Sequence, residues 1–308
     1  MTTLEKVVVV TRKTRLVELI ERFNTRAQAK FYIEHAGGDF GEYEREDAAY
    51  RRALDRVRRA VEVGLKIQVL DRELVSTYTF LPSDAVVTLG QDGLVANTAK
   101  YAAGQPIIGV NPDPERFDGV LLPFLPEEVG AALARVLHGR HRVRAVTLAE
   151  ARLGDGQRLL AFNELFVGAR THVSARYRLR WKSRHEPQSS SGVLVATGAG
   201  STGWLSSVYQ MVSAVATFTG GTPGPPLRLE WEDRRLVFVV REPFVSRHSQ
   251  ASIVTDVIAP GERLVLESAM PAGGAIFSDG IEADYLAFDS GTTASIGAAR
   301  ELANLVVP

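Results

Sequence analysis

Val86-Val87-Thr88-Leu89-Gly90-Gln91-Asp92-Gly93 decides the reading of this chain. A short β-branched run of buried character ends in a turn that two glycines allow, and a helix-like segment, Leu94 to Ala102, follows at once. Glycines let a backbone approach a phosphate closely, and the amides that open a helix favour anionic charge. One carboxylate, Asp92, stands at the tip of the turn. An acid disfavours phosphate binding there, so it needs another task. Acting as general base for a hydroxyl that attacks the phosphate is one such task; capping the helix is the plainer alternative.

Outward from this turn, the first half alternates strand and helix. Val7–Val10, Lys66–Leu70, Ala85–Leu89 and Pro106–Val110 read as strands. Arg15–Ala27 has helical periodicity, the polar stretch Glu34–Glu46 reads as a surface loop, and Asp47–Val63 reads as a long helix with Ala49, Ala53, Val57, Ala60 and Val61 on one face. Pro126–Leu137 is a helix opened by proline and two acids. This alternation predicts an α/β domain with a parallel sheet, covered on both faces, over residues 1–141. Ligands of such sheets bind at the carboxyl ends of strands, where Gly90–Gly93 and Asn111–Asp118 both fall.

From residue 142 to 308 the texture turns β-rich. Val143–Thr147, Arg158–Phe166, His172–Trp181, Gly192–Thr197, Leu227–Trp231, Arg235–Val240, Ala251–Val257, Arg263–Glu267 and Ala275–Ser278 are strand-like. Gly154-Asp155-Gly156 is a turn, Trp204–Ala216 a helix, and Thr219–Pro226 a loop. A second domain of packed sheets is expected.

The composition sets outer limits. The 308 residues suffice for two cores. Thirty-six basic and 36 acidic residues give a formal net charge of zero, which argues against a nucleic-acid or membrane role resting on bulk charge. Cysteine is absent, which excludes disulfides and thiolate chemistry. No run approaches the ~18–20 apolar residues of a spanning helix. The opening MTTLEKVVVV resembles neither a signal nor a transit peptide, so a cytoplasmic enzyme is expected. His138 and His141 lie in an arginine-rich stretch without a zinc pattern, and no metal ligand is assigned.

Two further constellations carry chemistry. Gly198-Ala199-Gly200-Ser201-Thr202-Gly203 matches G-x-G-x-x-G, follows a strand that ends at Thr197, and opens a helix at Trp204. No acid occurs between it and Glu230, so the ribose-binding carboxylate of a dinucleotide fingerprint is missing. A Gly/Ser/Thr loop with exposed amides still suits a nucleotide; a plain flexible loop is the alternative. Asn163-Glu164 lies inside the apolar run Leu160–Val167. Adjacent strand residues face opposite sides, so one of the pair points into a sheet interface, where it needs a partner. A site role and a hairpin edge both account for this.

Taken in order, VVVVTRKTR, GQDG, PIIGVNPDPERFDG, AFNELFVG, SSGVLVATGAGSTGW, VREP and SDG resemble the NAD kinase family over nearly the whole chain, with the mitochondrial-type branch the nearest. The resemblance implies an α/β domain plus a β-rich domain. It implies transfer of a phosphoryl group from ATP, with Mg²⁺, to the 2′-hydroxyl of the adenosine ribose of NAD, and a homodimer. By match to the family motifs, Asp92 is the general base, and Gly90, Gln91 and Gly93 line the phosphate turn. Asn163, Glu164, Thr197, Gly200, Ser201, Thr202 and Trp204 hold NAD. The chain departs from the family pattern at Gln91, where a second glycine is usual, and at Leu94, where threonine is usual. These departures keep open a non-catalytic NAD(P)-binding relative serving as sensor or structural subunit; a related kinase of the same broad superfamily acting on a sugar or lipid is a further alternative.

Overall fold

Apolar runs buried on both faces build three of the four strands that open the first sheet. β1 (Lys6–Thr11), β2 (Lys66–Asp71), β3 (Asp84–Leu89) and β4 (Pro106–Val110) pair in the order β2-β1-β3-β4, all parallel, β2 being the mostly exposed edge. The computed structural model describes residues 4–102 and 104–308. Every residue of β3 is buried, which is why it reads as an uninterrupted apolar run and not as an alternation. The chain divides into two compact units, Met1–Arg144 with Asn304–Pro308, and Ala145–Ala303.

In the first unit, five helices among the described residues accompany the sheet: α1 (Arg15–Phe23), α2 (Arg26–His35), α3 (Phe40–Ala60), α4 (Asp92–Ala99), and α5 (Val129–Leu137), which follows a tight turn over Pro126–Glu128; a further short turn lies at Arg72–Thr77. Tyr50, Ala53 and Val57 of α3 and Ala132, Leu133 and Val136 of α5 close over Val7, Val9, Val87, Ile108 and Val110.

The expected helix Arg15–Ala27 is two helices. Asn24 takes a left-handed conformation (φ 63°) and ends α1, and the Thr25 hydroxyl caps α2 by accepting from the Gln28 amide. The expected loop Glu34–Glu46 is mostly helical. α2 runs to His35, and α3 starts at Phe40 with Asp39 as its cap, accepting from the Gly41 amide at 2.8 Å. Most of the polar residues that imitate a loop lie on the solvent side of the helix, and Glu46 at its end is buried in ion pairs with Arg12 and Arg116.

The second unit starts with the body of β5 (Arg142–Leu153), followed by β6 (Arg158–Ala161), β7 (Glu164–Ala169), β8 (Ala175–Trp181), β9 (Arg184–Ser190), β10 (Val193–Ala196), α6 (Trp204–Phe218), β11 (Leu236–Val240), β12 (Thr255–Ile258), β13 (Leu264–Ser268), β14 (Gly274–Ser278), β15 (Ile281–Ala287) and β16 (Thr293–Val307). One sheet has the antiparallel order β12-β11-β10-β7-β14-β15. The other joins β16, β13, β8 and β9, with β5 pairing β16 and β6. Tyr177, Leu179, Trp181 and Leu266 of one meet Leu165, Val195, Phe238 and Ile276 of the other in a single core.

Here too some expectations fail. Leu227–Trp231 is not a strand, and the run Arg158–Phe166 is broken at Phe162-Asn163 into β6 and β7. β9, whose residues Arg184–Ser190 are mostly polar, and the strands β15 and β16 were not expected. β16 gives its first residues to the second unit, while Asn304 and Leu305 pair in parallel with Pro106 and Ile107 of β4 in the first.

Candidate functional site

The first unit presents the turn that follows β3. Gln91 precedes α4 with φ −105° and ψ 166°, ordinary extended backbone, so its side chain causes no strain where a glycine would be usual. Gln91 and Gly93 are exposed, Asp92 is half-buried and Gly90 is buried. A Cβ on Gly90 would lie 2.8 Å from Cδ2 of Leu94, the departing residue, which packs down over the turn.

Asp92 is fixed from outside its own helix. Its Oδ1 accepts from the Leu121 amide at 2.7 Å. Leu121 can lie there because Gly109 has no side chain: a Cβ on Gly109 would fall 2.1 Å from the Leu121 carbonyl oxygen. Asn111 ties the same loop, donating to the Phe117 carbonyl at 2.9 Å and accepting from the Asp113 amide at 3.0 Å. The loops after β3 and β4 are therefore locked together, as the strand-end rule predicts for a ligand site. Among the described residues, no hydrogen bond is made to the second carboxylate oxygen of Asp92.

Sequence reasoning missed the arginines behind this turn, although the TRKTR run held the signal. Arg12 is buried. Its Nη2 pairs with Glu46 at 3.0 Å, and Arg15 and Arg116 reach the other oxygen of the same carboxylate. Burial pushes the Glu46 carboxyl up, but hydrogen bonds from Arg15 and Arg12 outweigh it and hold the group below its usual range. Nε of Arg12 is buried without a hydrogen-bond partner. The Tyr50 hydroxyl bridges this cluster to β3, accepting from the Arg12 amide and donating to the Leu89 carbonyl, both at 3.0 Å.

The second unit holds a cavity of about 330 Å³ lined by Glu164, Phe166, Trp204, Arg241, Phe277 and Asp279, among others. The break between β6 and β7 shapes it. The carboxylate of Asp279, in the turn between β14 and β15, accepts from the amides of Phe162, Asn163 and Glu164 at 2.9, 2.6 and 3.2 Å. Those three bonds hold the bend at Asn163 and aim Glu164 into the cavity. Burial, and then the charge of Asp279, push the Glu164 carboxyl up to about 7. No protein group hydrogen-bonds that carboxyl among the described residues.

Aromatic rings form the opposite wall. Phe166 stacks on Trp204 with centroids 5.5 Å apart, and on Phe277 at 6.4 Å. Arg241 lies 5.0 Å from the Trp204 ring centre and 5.8 Å from that of Phe166. A half-buried carboxyl facing stacked rings and a guanidinium suits a ligand with hydroxyls, a flat ring and negative charge. Arg241 and Phe277 were also missed, because they come from segments distant in sequence.

The Gly/Ser/Thr loop supports this wall from beneath. Gly200 touches the backbone at Asn163, where a Cβ would fall 2.1 Å from the carbonyl oxygen. Thr197 Oγ1 donates to the Phe162 carbonyl at 2.6 Å and accepts from the Gly200 amide at 3.1 Å. Ser201 Oγ donates to the Thr197 carbonyl and accepts from the Leu229 amide, each at 3.3 Å. Thr197, Gly200 and Ser201 are thus buried scaffold, whereas Thr202 and Trp204 are exposed.

No protein-family model matches the chain. Among curated proteins, it is 32% identical over 200 residues to an NAD kinase of Heliobacterium modesticaldum, covering 59% of this chain and 67% of that protein. It is 25% identical over 171 residues to an NAD kinase of Chlorobium luteolum. The match spans 59% of the length of the Chlorobium luteolum protein and 43% of that of a Chlorobaculum tepidum relative. Among solved structures, an NAD kinase from Archaeoglobus fulgidus in complex with ATP superposes with a TM-score of 0.52 at 18% identity, over 98% of this chain and 93% of that one. The yeast NADH kinase complexed with NADH gives 0.55 at 17% identity, over 100% and 84%. These structural likenesses speak for the fold.

Proposed function

The chain belongs to the NAD kinase family, and we propose that it transfers the γ-phosphoryl group of ATP to the 2′-hydroxyl of the adenosine ribose of NAD, giving NADP. The observation that carries this reading is Asp92, held by Leu121 through one oxygen and open through the other. A carboxylate presented in this way accepts the proton of an attacking hydroxyl. In this proposal residues 1–141 supply the phosphate turn and residues 142–308 bind the dinucleotide.

Gly90, Gln91 and Gly93 present the backbone that opens α4 to the donor phosphates. The buried, unpartnered Nε of Arg12 is a donor that a phosphate oxygen satisfies. Glu164 accepts hydroxyls of the adenosine ribose, Asn163 holds its bend, and Trp204 packs on a flat ring. Thr197, Gly200, Ser201 and Thr202 shape the floor of the dinucleotide pocket. No three His, Asp or Glu side chains converge among the described residues, so the residues fit a Mg²⁺ bound mainly by the phosphates of ATP and not one held in a protein cage. Such an ion neutralises phosphate charge. We place the chain nearest the mitochondrial-type branch on Trp204, and expect a cytoplasmic homodimer that binds neither nucleic acid nor membrane. No helix among the described residues is long and apolar enough to cross a membrane.

The non-catalytic alternative drew on Gln91 and Leu94; the relaxed backbone at Gln91 answers the part of it that rested on strain in the turn. The test is direct: purified protein with ATP, Mg²⁺ and NAD, the product read by an NADP-specific dehydrogenase. Formation of NADP supports the reading. Tight NAD binding without NADP refutes it.

A further inference from the structure

A separate cavity in the second unit, of about 450 Å³, is lined among the described residues only by charged side chains: Glu150, Arg152, Arg158, Arg263, Arg300 and Glu301. It shares no residue with the cavity of Glu164 and Trp204. Its residues come from β5, from β6, from the position just before β13, and from β16.

Glu150 is the post around which the arginines stand. It is buried, and both its oxygens are engaged. Oε1 pairs with Arg152 at 2.8 Å and with Arg158 at 3.4 Å, and Oε2 pairs with Arg263 at 3.3 Å. Gly297 makes the third pair possible. A Cβ there would fall 2.8 Å from Cδ and 3.2 Å from Nε of Arg263, so the bare glycine leaves room for that side chain to cross to Glu150.

The charges do not balance. Four guanidiniums face two carboxylates, which leaves two positive charges over. Arg152 and Arg158 stand directly opposite each other across β5 and β6, where like charges repel. Glu301 takes Arg158 at 2.8 Å. Burial pushes the Glu301 carboxyl up, but the hydrogen bond from Arg158 and the charges of Arg158 and Arg152 outweigh it and hold the group below its usual range. Arg300 has no ion-pair partner among the described residues. Bracing of β5 and β6 is complete with Glu150 and Glu301. It explains neither the fourth guanidinium nor the donors left over, since each guanidinium carries five and the ion pairs engage only a few.

We propose that this cavity is an anion site for a phosphoanhydride, namely a pyrophosphate group, either free or as the tail of a nucleotide. Three considerations select that chemistry. The excess of positive charge calls for an anion of at least two charges. The walls offer no aromatic or aliphatic surface, so the recognised part of the ligand has no ring and no hydrocarbon body. Guanidinium forks match pairs of oxygens on one centre, and here they converge from several strands; two linked tetrahedral phosphates satisfy forks from several directions, where one flat carboxylate satisfies fewer. The site goes beyond the proposed activity and uses none of its residues.

The experiment maps arginine reactivity in the full chain. Phenylglyoxal modifies guanidiniums, and peptide mass spectrometry reads each arginine separately, so this cluster is told apart from Arg12 and Arg241. Millimolar pyrophosphate is expected to slow modification of Arg152, Arg158, Arg263 and Arg300 together by about tenfold, while Arg176 and Arg178 of β8 react as before. Citrate of matched charge and ionic strength is expected to protect little. An ADP arm separates the sources: protection by pyrophosphate alone marks the free anion, and protection by both marks the nucleotide tail. Arg300→Gln breaks no ion pair, so it is expected to keep the circular dichroism of the parent and to raise the pyrophosphate concentration that protects the other three arginines by about tenfold. Absence of protection, equal protection by citrate, or an Arg300→Gln protein protected at the parent's concentrations would each overturn the proposal. None of these readings depends on NADP formation, so a failure of this site and a failure of the proposed activity are told apart.

Discussion

If Glu164 holds the ribose as a carboxylate, NAD affinity must follow its ionisation. Burial and then Asp279 raise this group to about 7, so near-neutral pH already divides it between two states. The ionised form accepts two hydroxyl hydrogen bonds; the protonated form has spent one oxygen on its own proton. Affinity should therefore be flat above about pH 8 and fall tenfold per unit below 7, to about one-thirtieth at pH 5.5, or ~2 kcal/mol. In the ligand-free protein the sign is opposite. The folded state holds this proton more tightly than the unfolded chain, whose ordinary value is near 4.5. The contribution of Glu164 to stability is thus fully present below about pH 4.5 and is lost as pH rises to 7, by on the order of 3 kcal/mol. Calorimetric titration with NAD between about pH 5.5 and 8, in two buffers of different ionisation heat, reads both the affinity and the proton released on binding. Glu164→Gln should flatten the profile and sit about 1–3 kcal/mol below the parent plateau. An NAD affinity in the parent that is constant across this range, or a Gln variant that keeps the slope, would refute the reasoning.

Asp92→Asn should lower the rate of NADP formation by ~10²–10⁴-fold while NAD still binds, checked by coupled assay and calorimetry. Gln91→Gly should bring no gain, because Gln91 already has relaxed extended backbone; loosening the turn costs about 0.4–1 kcal/mol of order there, and a clear rise in rate would contradict this. Tyr50→Phe should lower unfolding stability by about 1–3 kcal/mol, since it strands the Arg12 amide and the Leu89 carbonyl; an unchanged urea midpoint would show that water replaces the hydroxyl.

What was legible in the sequence was what local chemistry controls. β3 and β4 were placed well because strands buried on both faces need continuous apolar runs. The turn Gly90–Gly93 was legible because it combines glycine with one acid. The first half of α3 was not. Its buried polarity is answered largely by Arg12, Thr14, Arg15 and Arg116, which come from other segments. β9 was missed for a similar reason: Glu186 and Gln188 are buried, and their partners at Ser252 and Ile253 are more than sixty residues away. In the cavity of the second unit that Trp204 lines, Glu164 stood out as an acid inside an apolar run, whereas Trp204 was named only through the family resemblance. Arg241, just past the end of β11, and Phe277, in β14, look ordinary locally and gain meaning only from the neighbours the fold gives them.

The pairing of Asn304 and Leu305 with Pro106 and Ile107 sets a timetable for synthesis. When β4 leaves the ribosome, the strand that completes its sheet is still some two hundred residues from being made. At ordinary elongation rates the interval is about 10–40 s, far longer than a local sheet needs to collapse. Through that time the nascent chain carries a parallel strand with one row of amides and carbonyls unmatched, a template for wrong pairing. Cells making this protein must either shield that edge or tolerate losses to aggregation. Ribosome stalling late in the message should harm its yield more than stalling early.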